Sequence, residues 1–239
     1  MATKGYRQAR FRKAPGSTEL ILVRHGESEP AVPGVPFQTV DGHGDPALAP
    51  EGLEQALRVA DRLADQHLDA IYVTSLRRTA ETAAPLVART GITPVVEPGL
   101  REVHLGEWEG GLMRQKMADG DPIGTRMMAE ERWDVIPGAE PSEAFSQRVR
   151  EALVRIITAH PDRRVAVFSH GGVIGELVRQ ATGSTRGFAF VGSDNGSITH
   201  LVAVGDRWVL RRYNDTSHLG GDLDLDPAPD LPGDAGVSA

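Results

Sequence analysis

Two histidines, two arginines and one glutamate stand where apolar runs of this sequence stop. Leu20-Ile21-Leu22-Val23 leads straight into Arg24-His25-Gly26, and an apolar run over 165–168 leads into Ser169-His170-Gly171. Ala70-Ile71-Tyr72-Val73 leads through Thr74 towards Arg78, and a short run over 93–97 is followed by a polar turn holding Glu102. Unpaired charge is too costly to bury, so these groups belong where each run leaves the core. Their types suit phosphoryl transfer through a covalent intermediate. A neutral imidazole can attack phosphorus, which splits one difficult step into two easier ones. Arg24 and Arg78 can clamp the equatorial oxygens of the transferring group, and a protonated His170 would add a third positive charge. Gly26 and Gly171 leave their backbone amides unobstructed for an anion. Glu102 can protonate the leaving oxygen and later deprotonate water, a role worth about 10²–10⁴ in rate.

The elements that must position these groups follow from periodicity. Runs 20–23, 70–73, 93–97 and 164–168 read as strands, the last three separated by helical segments. Pro50 suits a first helical position, and Leu53, Ala56, Leu57, Ala60, Leu63 and Ala64 predict an amphipathic helix to about Gln66. Further helices are expected from the Ala-rich stretch ending near Thr90, over 141–159, and after Gly172. Residues 199–204 and 208–212 flank Gly205-Asp206-Arg207, a hairpin signal. The predicted fold is α/β, a three-layer helix/sheet/helix arrangement with a mostly parallel central sheet and one antiparallel strand. Parallel strands share one carboxyl-terminal edge, so all of these groups can converge there. Residues 29–47, rich in Pro and Gly, read as one long loop, and 111–136, which holds four of the five methionines, as broken helix capping the domain.

The composition bounds the function. The chain has 239 residues and a net charge of −7, room for one large α/β domain over 19–218. The first thirteen residues carry Lys4, Arg7, Arg10, Arg12 and Lys13 and no acid, and 1–18 is expected to be a flexible basic arm. After Arg212 there is no Lys or Arg but six aspartates, and 219–239 is expected to be a disordered acidic tail. Acidic proteins bind polyanions poorly, which argues against nucleic acid as a partner. With no cysteine, disulfides, thiolate metal sites and a cysteine nucleophile are excluded. No apolar run approaches a membrane span and none follows Met1, so no membrane association or secretory signal is expected, and the location is expected to be cytoplasmic.

Together the motifs resemble the histidine phosphatase superfamily, in its phosphoglycerate mutase-like branch. The resemblance rests on Arg24-His25-Gly26-Glu27-Ser28, Ser75-Leu76-Arg77-Arg78-Thr79-Ala80-Glu81-Thr82-Ala83, the turn Leu100-Arg101-Glu102 to Gly110, and Ser169-His170-Gly171-Gly172. Asp45-Pro46-Ala47-Leu48 and Asn214-Asp215-Thr216 extend it, so that it spans about 20–219. It implies a phosphoglycerate mutase-like fold, His25 as the phosphorylated nucleophile, and Arg24, Arg78 and His170 holding the phosphoryl group. It also implies Glu102 as proton donor and acceptor, with Ser28 and the Gly171 amide near the phosphate oxygens. The implied enzyme is a phosphomonoesterase of the histidine acid phosphatase type, acting on a small phosphorylated metabolite without cofactor or metal; a homodimer is admitted but not required. Two departures stand out. Ala31 occupies a position where the family commonly has a phosphate-binding asparagine, and the 29–47 loop is longer than usual; the expectation is that Gln38 or His43 substitutes or that phosphate binds more weakly.

Two other functions are open on these residues. A cofactor-dependent phosphoglycerate mutase would need several basic residues after the acid, and the chain offers Arg114, Lys116, Arg126 and Arg132 among methionines and acids. A non-catalytic phospho-ligand-binding protein would not need His25, Glu102 and His170 all retained. Among the remaining histidines, His43 with Asp45 has the look of a metal-ligand pair but reads better as a glycine-spaced loop. His104 reads as a turn residue rather than a substrate contact, His67, His160 and His200 as structural or surface residues, and His218 as a packing residue.

Overall fold

In the first strand, β1 (Thr18–Arg24), Leu20 and Leu22 point to one face and Ile21 and Val23 to the other, all buried. A strand apolar on both faces must lie inside a sheet with layers on each side. The structure, a computed structural model, describes residues 7–220. Most of the expected acidic tail and the start of the basic arm therefore lie outside the described residues. Within 7–17, Lys13 pairs with Glu19, and the Arg211 guanidinium lies 3.8 Å from the centre of the Phe11 ring.

Beyond β1 the chain forms a small hairpin, β2 (Thr39–Val40) and β3 (His43–Gly44), then α1 (Pro50–Ala64), β4 (Ala70–Val73), α2 (Arg77–Thr90) and β5 (Val95–Val96). Two short helices follow, α3 (Leu112–Ala118) and α4 (Pro122–Glu130), then α5 (Ser142–Ala159), β6 (Arg164–Ser169), α6 (Gly171–Thr182), β7 (Ile198–Val204) and β8 (Arg207–Asp215). The six-stranded sheet runs in the order β5-β4-β6-β1-β7-β8. β1, β4, β5 and β6 are mutually parallel, and β7 runs against both β1 and β8. Leu20 and Leu22 pack with Phe145, Val149, Leu153, Ile174 and Leu177 of α5 and α6. Ile21 and Val23 pack with Val59, Leu63, Ala83 and Leu86 of α1 and α2. The three-layer arrangement and its one antiparallel strand are as the sequence predicts.

Two local expectations change. The 29–47 segment is not simply loop but carries the β2–β3 hairpin, paired Thr39 with Gly44 and Val40 with His43. In α1, Leu53 and Leu57 are each 52% exposed, while Gly52, Ala56, Val59, Ala60 and Leu63 form the buried face. The small residues face inward because α1 approaches the chain after β1 very closely. A Cβ on Gly52 would lie 2.0 Å from the Glu27 carbonyl oxygen, and one on Gly26 2.5 Å from the Gly52 oxygen. At its first turn the helix is seated too tightly for any side chain at position 52. Residues 111–136 contribute Met127, Val135 and Ile136 to a separate hydrophobic cluster with Trp108. No helix among the described residues is long and apolar enough to cross a membrane.

Candidate active site

Register brings the two histidines together. Arg24 of β1 pairs with Ser169 of β6, and the His25 amide donates to the Ser169 carbonyl at 3.0 Å. The rings of His25 and His170 then meet edge to face with centres 5.2 Å apart. His25 Nδ1 donates to the carbonyl of Gly26 at 2.7 Å. That bond places the ring proton on Nδ1 and leaves the lone pair on Nε2, while the ring itself borders a cavity. Burial, followed by the charges of Arg78 and Arg24, holds His25 well below the ordinary histidine pKa, against a smaller opposing effect of the Gly26 bond. The ring is neutral, as a nucleophile must be. Asn195 secures its backbone, donating from Nδ2 to the His25 carbonyl at 2.9 Å.

Arg24 and Arg78 flank this ring on the cavity wall. Arg78, in the first turn of α2, donates to the Gly44 carbonyl at 3.0 Å; burial lowers its pKa to about 10, so it stays charged at neutral pH. Arg24 donates to the carbonyl of Ser193. His170 caps α6, its Nε2 bonded to the Thr74 hydroxyl at 3.0 Å. Its Nδ1 is buried and has no hydrogen-bond partner among the described residues. Burial, then Arg78 and His25, hold His170 well below its ordinary pKa, so the ring is a neutral imidazole and not the expected imidazolium. A phosphoryl dianion placed between these cations would oppose that shift.

Glu102 faces the histidines from the N-terminus of α6. Its carboxylate accepts from the Gly172 amide at 3.1 Å and from the Val103 amide at 2.9 Å. The turn that carries it is tied from outside by Arg148 of α5. That guanidinium donates to the carbonyls of Gly99, Arg101 and Glu102 at 2.9, 3.0 and 3.3 Å, and pairs with Glu140 at 2.7 Å. Ser169 adds a bond from its hydroxyl to the Leu100 carbonyl.

The cavity holds about 190 Å³ and has two characters. Arg24, His25, His43, Arg78, Glu102, Glu109 and Arg114 are its polar lining, and Phe37, Leu105, Trp108, Met113, Met117 and Trp133 its apolar lining. His25, Glu102, Arg24 and Arg78 line one cavity, while His170 is fully buried against the His25 ring and does not line it. Gly171 also lines the cavity. Other expected contacts are absent. The Gly26 amide donates to the Thr82 hydroxyl at 2.9 Å, so the glycine serves the close packing against Gly52 and not an anion. Ser28 does not line the cavity; its hydroxyl accepts from Arg114 at 2.7 Å. Gln38 is exposed and contributes only its backbone carbonyl, to the Asp45 amide.

From α3, Arg114 reaches the cavity lining. It donates to Ser28 Oγ and to the Glu29 carbonyl, and its charge contributes to the depression of His25. His43 is buried on the cavity wall, edge to face with His104 at 5.1 Å, not free in a loop. Asp45 turns away from His43 to cap the Arg77 amide, and no group of acids and histidines among the described residues is placed to hold a metal ion. His104 accepts from the Gly106 amide and lies off the cavity, as a turn residue does. Thr74, Arg114, Arg148 and Asn195 carry no recognisable signal in the sequence, except that Thr74 directly follows a strand.

Comparison with known proteins agrees with this geometry. A profile of the histidine phosphatase superfamily (branch 1) matches residues 20–216. The chain is 34% identical over 205 residues to phosphoglycerate mutase-like protein 4 of Arabidopsis thaliana, covering 84% of this chain and 86% of that one. It is 30% identical to the metal-independent phosphoserine phosphatase of the same plant, over 84% of this chain and 83% of the relative. Among solved structures, a mycobacterial glucosyl-3-phosphoglycerate phosphatase superposes with a TM-score of 0.69 at 28% identity, over 84% of this chain and all of the other.

Proposed function

The chain belongs to branch 1 of the histidine phosphatase superfamily, and from that premise we propose that it hydrolyses a small phosphomonoester through a phosphorylated His25. The observation that carries this reading is the His25 tautomer: Nδ1 is bound to the Gly26 carbonyl, and the neutral ring borders the cavity beside two guanidinium groups. His25 Nε2 attacks phosphorus, the bond from phosphorus to the ester oxygen breaks, and the carboxylic acid form of Glu102 gives that oxygen its proton. Arg24, Arg78 and His170 hold the equatorial oxygens, and the two guanidinium groups balance their charge. Glu102, now a carboxylate, takes a proton from water as the water oxygen attacks phosphorus. The Nε2–phosphorus bond breaks and inorganic phosphate leaves. The finer assignment to the histidine acid phosphatase type draws on the depressed pKa of His25, which keeps the nucleophile neutral in mild acid. The absence of cysteine supports a cytoplasmic setting.

Hydrolysis is favoured over the mutase reaction because, of the four basic residues at 114–132, Arg114 alone lines the cavity. Lys116 pairs with Asp121, Arg126 with Glu130 and Arg132 with Asp134, and none of the three lines the cavity. A mutase needs cations there for a carboxylate and a second phosphate.

The test is a panel of phosphomonoesters, 2- and 3-phosphoglycerate included, scored for both phosphate release and isomerisation, with an acid-labile phosphoenzyme trapped after rapid quench. Phosphate release is expected to dominate, and His25→Ala to lose both turnover and phosphoenzyme while its circular dichroism is unchanged. Turnover in that variant would overturn the covalent mechanism; isomerisation faster than release would overturn the hydrolase assignment.

A further inference from the structure

We propose that Thr74 and Thr79 are positioning residues that keep the lone pair of His170 on Nδ1, so that His170 takes a proton from the phosphoryl group that enters beside it. The proposal rests on the reading that this site holds a phosphoryl group, and it adds how the second histidine comes to be charged there. His170 is fully buried, and its Nε2 lies 3.0 Å from the Thr74 hydroxyl. Its Nδ1 has no hydrogen-bond partner among the described residues, so Nδ1 is the ring atom left for a phosphoryl oxygen. A neutral ring carries its proton on one nitrogen only, and the hydrogen bond made by the other nitrogen decides which.

Two buried hydroxyls make that decision. Thr79 Oγ1 lies 2.8 Å from the Leu76 carbonyl, which only accepts, and 3.1 Å from the Thr74 amide, which only donates. Thr79 therefore gives its own proton to the Leu76 carbonyl and keeps its lone pairs for donors. Thr74 Oγ1 stands 3.2 Å from Thr79 Oγ1 and accepts from the Leu76 amide at 3.3 Å. A Thr74 proton turned to His170 would leave two hydroxyl oxygens facing each other at 3.2 Å with no proton between them. A Thr74 proton turned to Thr79 gives every contact one donor and one acceptor, which a buried network requires. The chain then runs from His170 Nε2–H to Thr74, from Thr74 to Thr79 and from Thr79 to the Leu76 carbonyl. Nδ1 is left with a lone pair. Arg78, His25, His43 and Arg24 surround His170 with positive or neutral groups, Glu102 faces it from the start of α6, and burial keeps the ring neutral in the free protein. A phosphate ester gives up its second proton at about pH 6, so part of it arrives as the monoanion. The P–OH proton passes to Nδ1, and the P–O⁻ oxygen left behind accepts a charge-assisted bond from the new N–H. The proton returns to phosphate as phosphate leaves.

The experiment follows the ring nitrogens of His170 by long-range proton–nitrogen NMR of histidine-labelled protein, alone and with inorganic phosphate at about pH 6. In the parent protein the ring proton is expected on Nε2, and phosphate is expected to protonate both nitrogens. Thr79→Val removes the acceptor of the Thr74 proton, which then turns to Nε2. The free-protein ring proton is expected to move to Nδ1 in that variant and to stay on Nε2 in Thr79→Ser. Thr74→Val is expected to lower the pKa of phosphate-bound His170 by about one pH unit, because a bond from a charged donor is worth more than one from a neutral donor, and Thr74→Ser to restore it. A proton on Nδ1 in the free parent protein would overturn the proposal whether or not the variants fold. A phosphate complex with a neutral His170 would overturn it too, as would a folded Thr79→Val that keeps the parent tautomer. Ring signals of His25 and His170 that no concentration of phosphate moves would instead overturn the phosphoryl-site reading beneath it.

Discussion

Replacing Gly172 by alanine displaces Glu102 and leaves His25 in place. A Cβ on Gly172 would stand 2.6 Å from Glu102 Oε1, where ordinary contact begins at 3.4 Å. The carboxylate is the far end of a flexible side chain, so it yields, withdrawing by about 0.8 Å and giving up its 3.1 Å bond from the Gly172 amide. A misplacement of about 1 Å in a catalytic group costs about 100-fold, within the roughly 10²–10⁴ that a general acid contributes. Stability moves the other way. Gly172 is the second residue of α6 and is not among the positive-φ glycines, so alanine suits its backbone and favours the helix by up to about 1 kcal/mol. The expected outcome is a kcat about 100-fold lower on an alkyl phosphate, little change on p-nitrophenyl phosphate, whose leaving group needs no proton, and a Tm equal to or slightly above that of the parent. Equal losses on the two substrates would refute the role of Glu102 as the acid. A large fall in Tm would refute the claim that Glu102, and not the helix, absorbs the added methyl.

Arg148→Met removes a guanidinium from Glu140 and from three carbonyls of the Glu102 turn, with the pair only 25% and 16% exposed. A fully buried pair broken on one side costs about 3–5 kcal/mol; discounted for exposure, a loss of about 2–3 kcal/mol in urea unfolding is expected, with kcat reduced most on poor leaving groups. A loss below about 1 kcal/mol would show that the turn holds without Arg148. His25 and His170 are neutral in the fold with pKa values pushed well below 6.5, and the unfolded chain protonates both near 6.5. The stability they contribute is whole above that pH and is lost as pH falls below it, with a slope of up to about 1.4 kcal/mol per pH unit for each ring. His43, His200 and His218 shift the same way, while Glu19, Glu140 and Glu176 add their losses only below about 4.5. A urea midpoint that stays flat between pH 7.5 and 5.5 would contradict the neutral buried pair, and the acid limb of kcat/KM is expected below pH 6.5.

The sequence by itself determined the architecture and the main polar groups of the site. Strand runs that end in Arg24-His25, in Thr74 and in Ser169-His170 are local patterns, and a parallel sheet brings their ends to one edge whatever else the chain does. Glu102 is legible for the same reason, since it lies in the turn after a strand. What only the tertiary structure decided depends on contacts between distant segments. Arg114 reaches Ser28 across 86 positions and joins His43, one of the two candidates read from the sequence, in the cavity lining. Thr74 meets His170 across 96 positions. Leu53 and Leu57 fit the helical period of a core face as well as their neighbours do, but α1 packs through Gly52, Ala56, Val59, Ala60 and Leu63 and leaves them outside. The charge on His170 was decided in the same way: a histidine has no fixed charge in a sequence, and burial beside Arg78 and His25 made this one neutral. Periodicity records which way a segment faces, but the partner that a polar side chain finds is set by which surfaces the fold brings within about 3 Å.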